Sequence, residues 1–231
     1  MRVPTAQEYC HEKLGESFGS ALSNYDTMRR VQTLVDLFLT EDMVVGQNAL
    51  DVGCGLGFFS KRLKERGANV TACDIGPSLV ERTRQLVGCG GVVADAMQLS
   101  HHFAPESFDL VVSSECIEHT PNPRQSLLQM AAVVRPGGFI AVSTPNCIWG
   151  PIVKFATSMR FRPFDGHENF SSWHEIRTTL ESAGIVIVQQ RGLHLFPFQF
   201  GLHSLSAWCD HNLQMARGVM INICILGKKH T

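Results

Sequence analysis

Apolar positions along this chain recur with two periods. Over 26–40, Val31, Leu34, Val35, Phe38 and Leu39 return every three to four residues, leaving Arg29, Arg30 and Asp36 for another face, which predicts an amphipathic helix. A further helix is predicted over 5–20. The period then changes. Short apolar runs at 49–52, 69–74, 92–94, 108–113 and 139–143 read as strands, and 58–66, 77–87 and 124–134 between them read as helices. Gly67 suits a helix C-terminus, Pro77 a first helical turn, and Pro136-Gly137-Gly138 a helix stop. After Pro145 the rhythm breaks: a connection over 146–170, a helix over 172–183, a strand over 185–190, an aromatic insertion over 193–217 that is part helix, and a last strand over 219–226.

Strands alternating with helices predict an α/β fold: a doubly wound, mostly parallel, seven-stranded sheet with helices on both faces. The last two strands lack a crossover pattern, which leaves room for antiparallel pairing. No repeat or linker divides the chain. It is therefore expected to form one domain over 1–231, with N-terminal helices to 40, a binding core over 41–145, and a lid, insertion and final strands over 146–231.

Composition narrows the function classes. The 231 residues are 44% hydrophobic and 18% charged, so enough apolar surface exists to exclude disorder as the main state. Twenty Lys and Arg against 21 Asp and Glu give a net charge of -1, which disfavours a strongly cationic nucleic-acid binder. The eight cysteines form no C-x-x-C pair and are expected to be reduced thiols. No leader-like apolar segment opens the chain, and no run reaches the ~18 apolar residues of a membrane span. A soluble, cytoplasmic protein is expected, with peripheral membrane contact left open.

The first candidate chemistry lies after the first strand. Asp51 is followed by Gly53, Gly55 and Gly57, which allow a backbone to approach a ligand closely. Asp74 ends the second strand about twenty residues later, where a carboxylate can accept two ribose hydroxyls. Together they predict an adenosine-containing ligand. The dinucleotide fingerprint G-x-G-x-x-G would need its third glycine at Phe58, whereas here the spacing is G-x-G-x-G.

With these residues the chain resembles the seven-stranded, Rossmann-like (class I) S-adenosylmethionine-dependent methyltransferases over roughly 26–190. The resemblance rests on the 50–57 block Leu-Asp-Val-Gly-Cys-Gly-Leu-Gly, on Asp74, Asp95, the 108–112 block Phe-Asp-Leu-Val-Val, and Arg135-Pro136-Gly137-Gly138. It implies that Gly53, Gly55 and Gly57 pack against the methionyl and ribose parts of the cofactor. It further implies that Asp74 holds the ribose, that Asp95 and the backbone of Ala96 meet the adenine, and that Ser114 lies near the methionyl part. Asp51 and Ile75 join this cofactor-binding set, and by the same resemblance Arg29 or Arg30 is offered as a partner for the cofactor carboxylate, the alternative being an exposed helix arginine.

The second candidate chemistry is Glu115-Cys116-Ile117-Glu118-His119, after the fourth strand. Glu115 and His119 are the catalytic candidates, and two readings share the physics. His119 can take a proton from a substrate hydroxyl near its ordinary pKa of ~6.5. Alternatively, the carboxylates and imidazole can bind a divalent cation that lowers the hydroxyl's pKa. A purely structural role for the turn is the third possibility. The ubiquinone-biosynthesis O-methyltransferases are similar at Glu115, Glu118 and His119. Small-RNA 2'-O-methyltransferases are similar there too, and add a later histidine block resembled by residues 166–173. The metal reading therefore has Glu115, Glu118, His119 and His167 as ligands, suiting magnesium or manganese, with zinc also accommodated.

Half of the 14 phenylalanines fall after residue 150, as aromatic lids for an apolar or flat substrate would. Lys154, Arg160 and Arg162 make only a small basic patch. His101 and His102 are expected in solvent, and His194 and His203 at the surface or in the core. The expectation is a methyltransferase acting on a hydroxyl of a small aromatic, isoprenoid-linked or sugar molecule. RNA 2'-O-methylation and N-methylation are the alternatives within the class. A nicotinamide oxidoreductase and a non-catalytic nucleoside-binding module are the alternatives outside it.

Overall fold

A computed structural model describes residues 25–152, 168–195 and 201–231. The helix predicted over 5–20, His167, the basic patch and the 196–200 aromatics lie outside these residues. The elements are α1 (Tyr25–Val31), β1 (Asn48–Val52), α2 (Phe58–Glu65), β2 (Asn69–Asp74), α3 (Pro77–Val87), β3 (Gly90–Val93), β4 (Phe108–Ser114), α4 (Pro123–Val133), β5 (Val134–Pro145), α5 (Trp173–Ser182), β6 (Ile185–Leu193), α6 (His203–Asn212) and β7 (Asn222–Lys229).

The seven strands form one sheet in the order β3-β2-β1-β4-β5-β7-β6. β1 to β5 pair in parallel, and β7 lies antiparallel between β5 and β6. Of the last two strands, only β7 therefore reverses direction. Period-2 alternation sends side chains to two cores. Leu50, Val52, Val111, Ile140 and Val142 pack with Leu127 and Met130 of α4 and Ile176 and Leu180 of α5. Ala49, Leu110, Val112 and Ala141 face the other way, against Leu34, Val35, Phe38, Phe59 and Leu63. Both faces are covered, so the central strands read as continuous apolar runs.

β5 begins at Val134, so that Pro136-Gly137-Gly138 lies within the strand and not before it, and β6 extends to Leu193. Two further boundaries differ from the sequence expectation for identifiable reasons. The helix predicted over 26–40 is α-helical only to Val31 and then widens into a π-helix over Gln32–Leu37. Thr33 Oγ1 donates to the carbonyl of Arg29 at 2.9 Å, and the Phe38 N–H reaches back five residues to the Thr33 carbonyl. Such threonine back-bonding bends helices. The last strand starts at Asn222 rather than 219, because Gln214–Val219 winds as a 3₁₀ helix.

Candidate active site

The C-terminal ends of β1, β2 and β4 carry the predicted residues to one edge of the sheet. The chain leaves β1 through Gly53, Gly55 and Gly57, all at positive φ (75°, 48° and 83°). A Cβ at Gly53 would lie 2.6 Å from Cβ and Sγ of Cys116, so this glycine lets the loop pack on the turn after β4. At Gly55 the nearest atom to such a Cβ is 4.0 Å away, so its backbone faces open space that a ligand can enter.

Asp74 ties this loop down. Its Oδ2 accepts the Gly55 N–H at 3.0 Å and its Oδ1 the Gly76 N–H at 2.9 Å. Each carboxylate oxygen keeps a second lone pair, so the side chain can still accept two hydroxyls. Ile75 beside it is half-buried. Asp95 ends the neighbouring segment, its Oδ1 accepting the Met97 N–H at 2.8 Å, and Ala96 is buried. Asp51 lies beneath the loop, where the Ser60 hydroxyl donates to its Oδ2 at 2.6 Å. Burial pushes the Asp51 carboxyl up to about 6, with the Ser60 bonds offsetting part of the rise.

The turn after β4 is a second centre. Glu115 has φ of 51°, a left-handed conformation that is uncommon without glycine, and its N–H donates to the Ser143 carbonyl at 3.0 Å. Arg30 is buried and reaches this turn from α1. Its Nη1 donates to Ser114 Oγ at 3.2 Å, Ser114 and Ser143 hydroxyls are 2.8 Å apart, and Ser143 Oγ donates to Glu115 Oε1 at 3.3 Å. Arg30 is also 2.8 Å from Asp26, whose other oxygen lies 2.8 Å from His194 Nε2. Burial raises Asp26, but Arg30 and His194 outweigh it and hold the carboxyl at about 2. Arg30 Nε is buried without a hydrogen-bond partner among the described residues.

Burial, opposed by Arg30 and reinforced by Glu118, raises the Glu115 carboxyl to about 8. Glu118 is 1% exposed and accepts from Thr144 Oγ1 at 3.0 Å, and burial raises it to about 7. His119 Nε2 lies 3.9 Å from Glu118 Oε1, with a fifth of the His119 side chain exposed. Among the described residues, no three His, Cys, Asp or Glu side chains converge as a metal-ligand set. The carboxylate of Glu115 turns to Ser143 and Arg30, and that of Glu118 to Thr144 and His119. The fourth candidate ligand, His167, lies outside the described residues.

The C-terminal insertion closes on α1. Tyr25 donates to the His203 carbonyl at 2.8 Å and stacks on the His203 ring, with centroids 4.2 Å apart. Arg29 lies 3.4 Å from the buried Asp210 of α6. Of the two arginines offered for a carboxylate ligand, Arg29 thus faces the insertion and Arg30 the turn after β4. His101 and His102 are exposed as expected, while His194 is buried.

Comparison with known proteins decides the family. The family described as a methyltransferase domain matches residues 50–142. The ubiquinone biosynthesis O-methyltransferase of Aeromonas salmonicida is 32% identical over 162 residues, covering 66% of this chain and 68% of that protein. The chain belongs to the class I S-adenosylmethionine-dependent methyltransferases. Other relatives of this methyltransferase include the biotin biosynthesis bifunctional protein BioHC of Teredinibacter turnerae, 32% identical over 76% of this chain. The chain spans about a third (34%) of the length of that bifunctional protein. In fold, the methyltransferase is similar to a Thermotoga maritima S-adenosylmethionine-dependent methyltransferase at TM-score 0.72 and 16% identity, covering 96% of this chain and 99% of that one. Among the described residues, no helix is long and apolar enough to cross a membrane.

Several residues of this methyltransferase site carry no motif in the sequence. Asp26 and His194 meet across 168 positions, and Ser143, Thr144 and Asn222 reach the Glu115–Glu118 turn from β5 and β7. Only the alternation along β5 signals that Ser143 and Thr144 end a buried strand at this edge.

Proposed function

We propose that this methyltransferase acts on a hydroxyl oxygen of a small molecule, with His119 taking the hydroxyl proton. The pairing of His119 with buried Glu118 on the turn after β4 carries the assignment. At 3.9 Å the Glu118 carboxylate acts on the imidazole through its charge and not through a direct hydrogen bond, at the edge of the sheet where ligands bind. When bound, S-adenosylmethionine supplies an electrophilic methyl group on a sulfonium.

The protein's own residues fit that cofactor. Gly55 leaves room for it, Asp74 has lone pairs for its ribose hydroxyls, and Ile75 offers an apolar surface beside them. Asp95 and the Ala96 backbone suit the adenine, and Ser114 stands at the methionyl side. Arg30 offers the buried Nε donor to a carboxylate. His119 would take the acceptor's hydroxyl proton and so ready its oxygen to receive a methyl group. The ionised Glu118 carboxylate, 3.9 Å from Nε2, stabilises the imidazolium that forms. Glu115, tied through Ser143 and Ser114 to Arg30, holds the turn. The described carboxylates do not converge on a cation, so no step is assigned to one. The O-methyltransferase relatives support oxygen over nitrogen as the acceptor atom.

A panel of catechols, phenols, polyprenylated phenols and sugars, scored by S-adenosylhomocysteine release, tests the assignment. His119→Gln is expected to lose turnover by about 10²–10⁴-fold with cofactor affinity intact, and EDTA to leave the rate unchanged. Undiminished turnover in His119→Gln would remove the base. Loss of activity in EDTA, restored by magnesium or manganese, would replace it with a metal centre.

A further inference from the structure

We propose that Asn169 is a positioning residue for His119. This rests on the assignment of His119 as the base. His119 ends a 3₁₀ turn of three residues, Ile117–His119. Internally that turn is held by the His119 N–H to the Cys116 carbonyl at 3.0 Å and by Thr120, whose N–H and hydroxyl donate to the Ile117 carbonyl at 3.0 and 2.6 Å. A turn so short does not fix a side chain by itself, and a general base must be held to a fraction of an ångström.

A second constraint comes from a segment about 50 positions later. The backbone N–H of Asn169 donates to the Glu118 carbonyl at 2.7 Å, and its side-chain Nδ2 donates to the Thr120 carbonyl at 2.7 Å. The two bonds bracket His119, one on the residue before it and one on the residue after. A third, longer contact from Nδ2 reaches the Pro121 carbonyl at 3.4 Å. Asn169 is itself anchored nearby. Ser171 bridges in parallel to Asn146, accepting the Cys147 N–H at 3.0 Å, and Ser172 opens α5 with a reciprocal capping box to Glu175. Residues 169–172 thus join the catalytic turn, the β5 end and the start of α5, the Asn169 amide being the side-chain contact on the turn. Aspartate has the same shape and no donor, so it would set oxygen against two carbonyl oxygens.

The test uses the full chain labelled with ¹³C-histidine, the His119 line being assigned by its absence in His119→Gln. In Asn169→Ala the His119 ring signal is expected to shift or broaden at 25 °C while the other histidine lines hold. S-adenosylmethionine affinity by calorimetry is expected to stay within about twofold. Asn169→His, whose Nδ1–H can occupy the place of the amide donor, is expected to restore the His119 line. Asn169→Asp serves as a second variant if the alanine form folds poorly, with the same expected shift. An unmoved His119 line in a variant with a lowered Tm would reduce Asn169 to a stabilising residue and overturn the proposal, and so would a shift of all histidine lines together. Failure of the base assignment is read separately, in the turnover of His119→Gln.

Discussion

Asp51→Asn tests the electrostatics of the glycine loop most directly. Asp51 is 2% exposed, accepts the Ser60 hydroxyl, and is held by burial at about 6 against an ordinary 3.8. A carboxyl whose folded pKa is raised favours the fold while it is protonated. Its contribution is full below pH 3.8, falls as pH rises from 3.8 to 6, and is absent above that. Two pKa units at 1.36 kcal/mol each mean that ionised Asp51 costs the fold about 3 kcal/mol at pH 7.5. Asparagine keeps an oxygen for Ser60 and carries no charge. Asp51→Asn is therefore expected to be more stable than the parent at pH 7.5, by up to about 3 kcal/mol, or roughly 6–12 °C in Tm for a chain of this size. The gain should shrink as pH is lowered through 6 and vanish near 4. Urea unfolding of both proteins across pH 4–8 measures it. A variant less stable than the parent at pH 7.5, or a difference independent of pH, would refute the reasoning and mean that loop amides compensate the Asp51 charge.

Asp74→Ala removes the acceptor proposed for the ribose and the tie between Gly55 and Gly76. At 1.5–3 kcal/mol per charged hydrogen bond, cofactor affinity should fall by at least about 100-fold in calorimetry, and a Kd within threefold of the parent's would contradict the assignment. Asp26 is held at about 2, so its stabilisation is complete above pH 3.8 and is lost as pH falls from there through 2. Asp26→Asn should cost roughly 2 kcal/mol at pH 7 and nothing near pH 2, read from urea midpoints; an equal loss at both would show a packing effect instead. Glu115, raised to about 8, is mostly protonated at neutral pH, and the parent loses its contribution as pH rises from 4.5 through 8. Glu115→Gln should match the parent's stability near pH 4, exceed it at pH 6.5 and exceed it further at pH 9; a variant less stable than the parent at pH 9 would place a compensated, ionised carboxylate there.

The glycine loop and Asp74, the proposed cofactor side of the site, were legible because their geometry is local. Glycines at positive φ and an aspartate at a strand end are fixed by five to twenty residues of chain, and the strand pattern placed Asp74 at the last residue of β2. The turn after β4, proposed for the acceptor, was legible only as a motif. Which way Glu115 and Glu118 point is decided by Ser143 and Thr144, on a strand that is adjacent in the sheet and distant in sequence. The left-handed Glu115 and the π-helical turn after α1 leave no compositional trace, since neither uses glycine or proline. The role of α1 was half visible. Its apolar stripe predicted a packed helix, but the ion pair that carries Arg30 inward needs Asp26 and a histidine from the end of β6.

The slot taken by β7 governs the order in which the molecule can be assembled. β6 follows β5 in the chain, yet the two do not pair, because β7 lies between them. While the chain emerges from a ribosome, β6 has no neighbour to join and β5 presents a bare edge until residue 229 is available. Nascent chains of this protein are therefore exposed to mispairing at the β5 edge for the whole time that residues 146–229 are being made. Closing the sheet inserts one strand between two others, so a truncation inside β7 would strip β6 from the sheet as well.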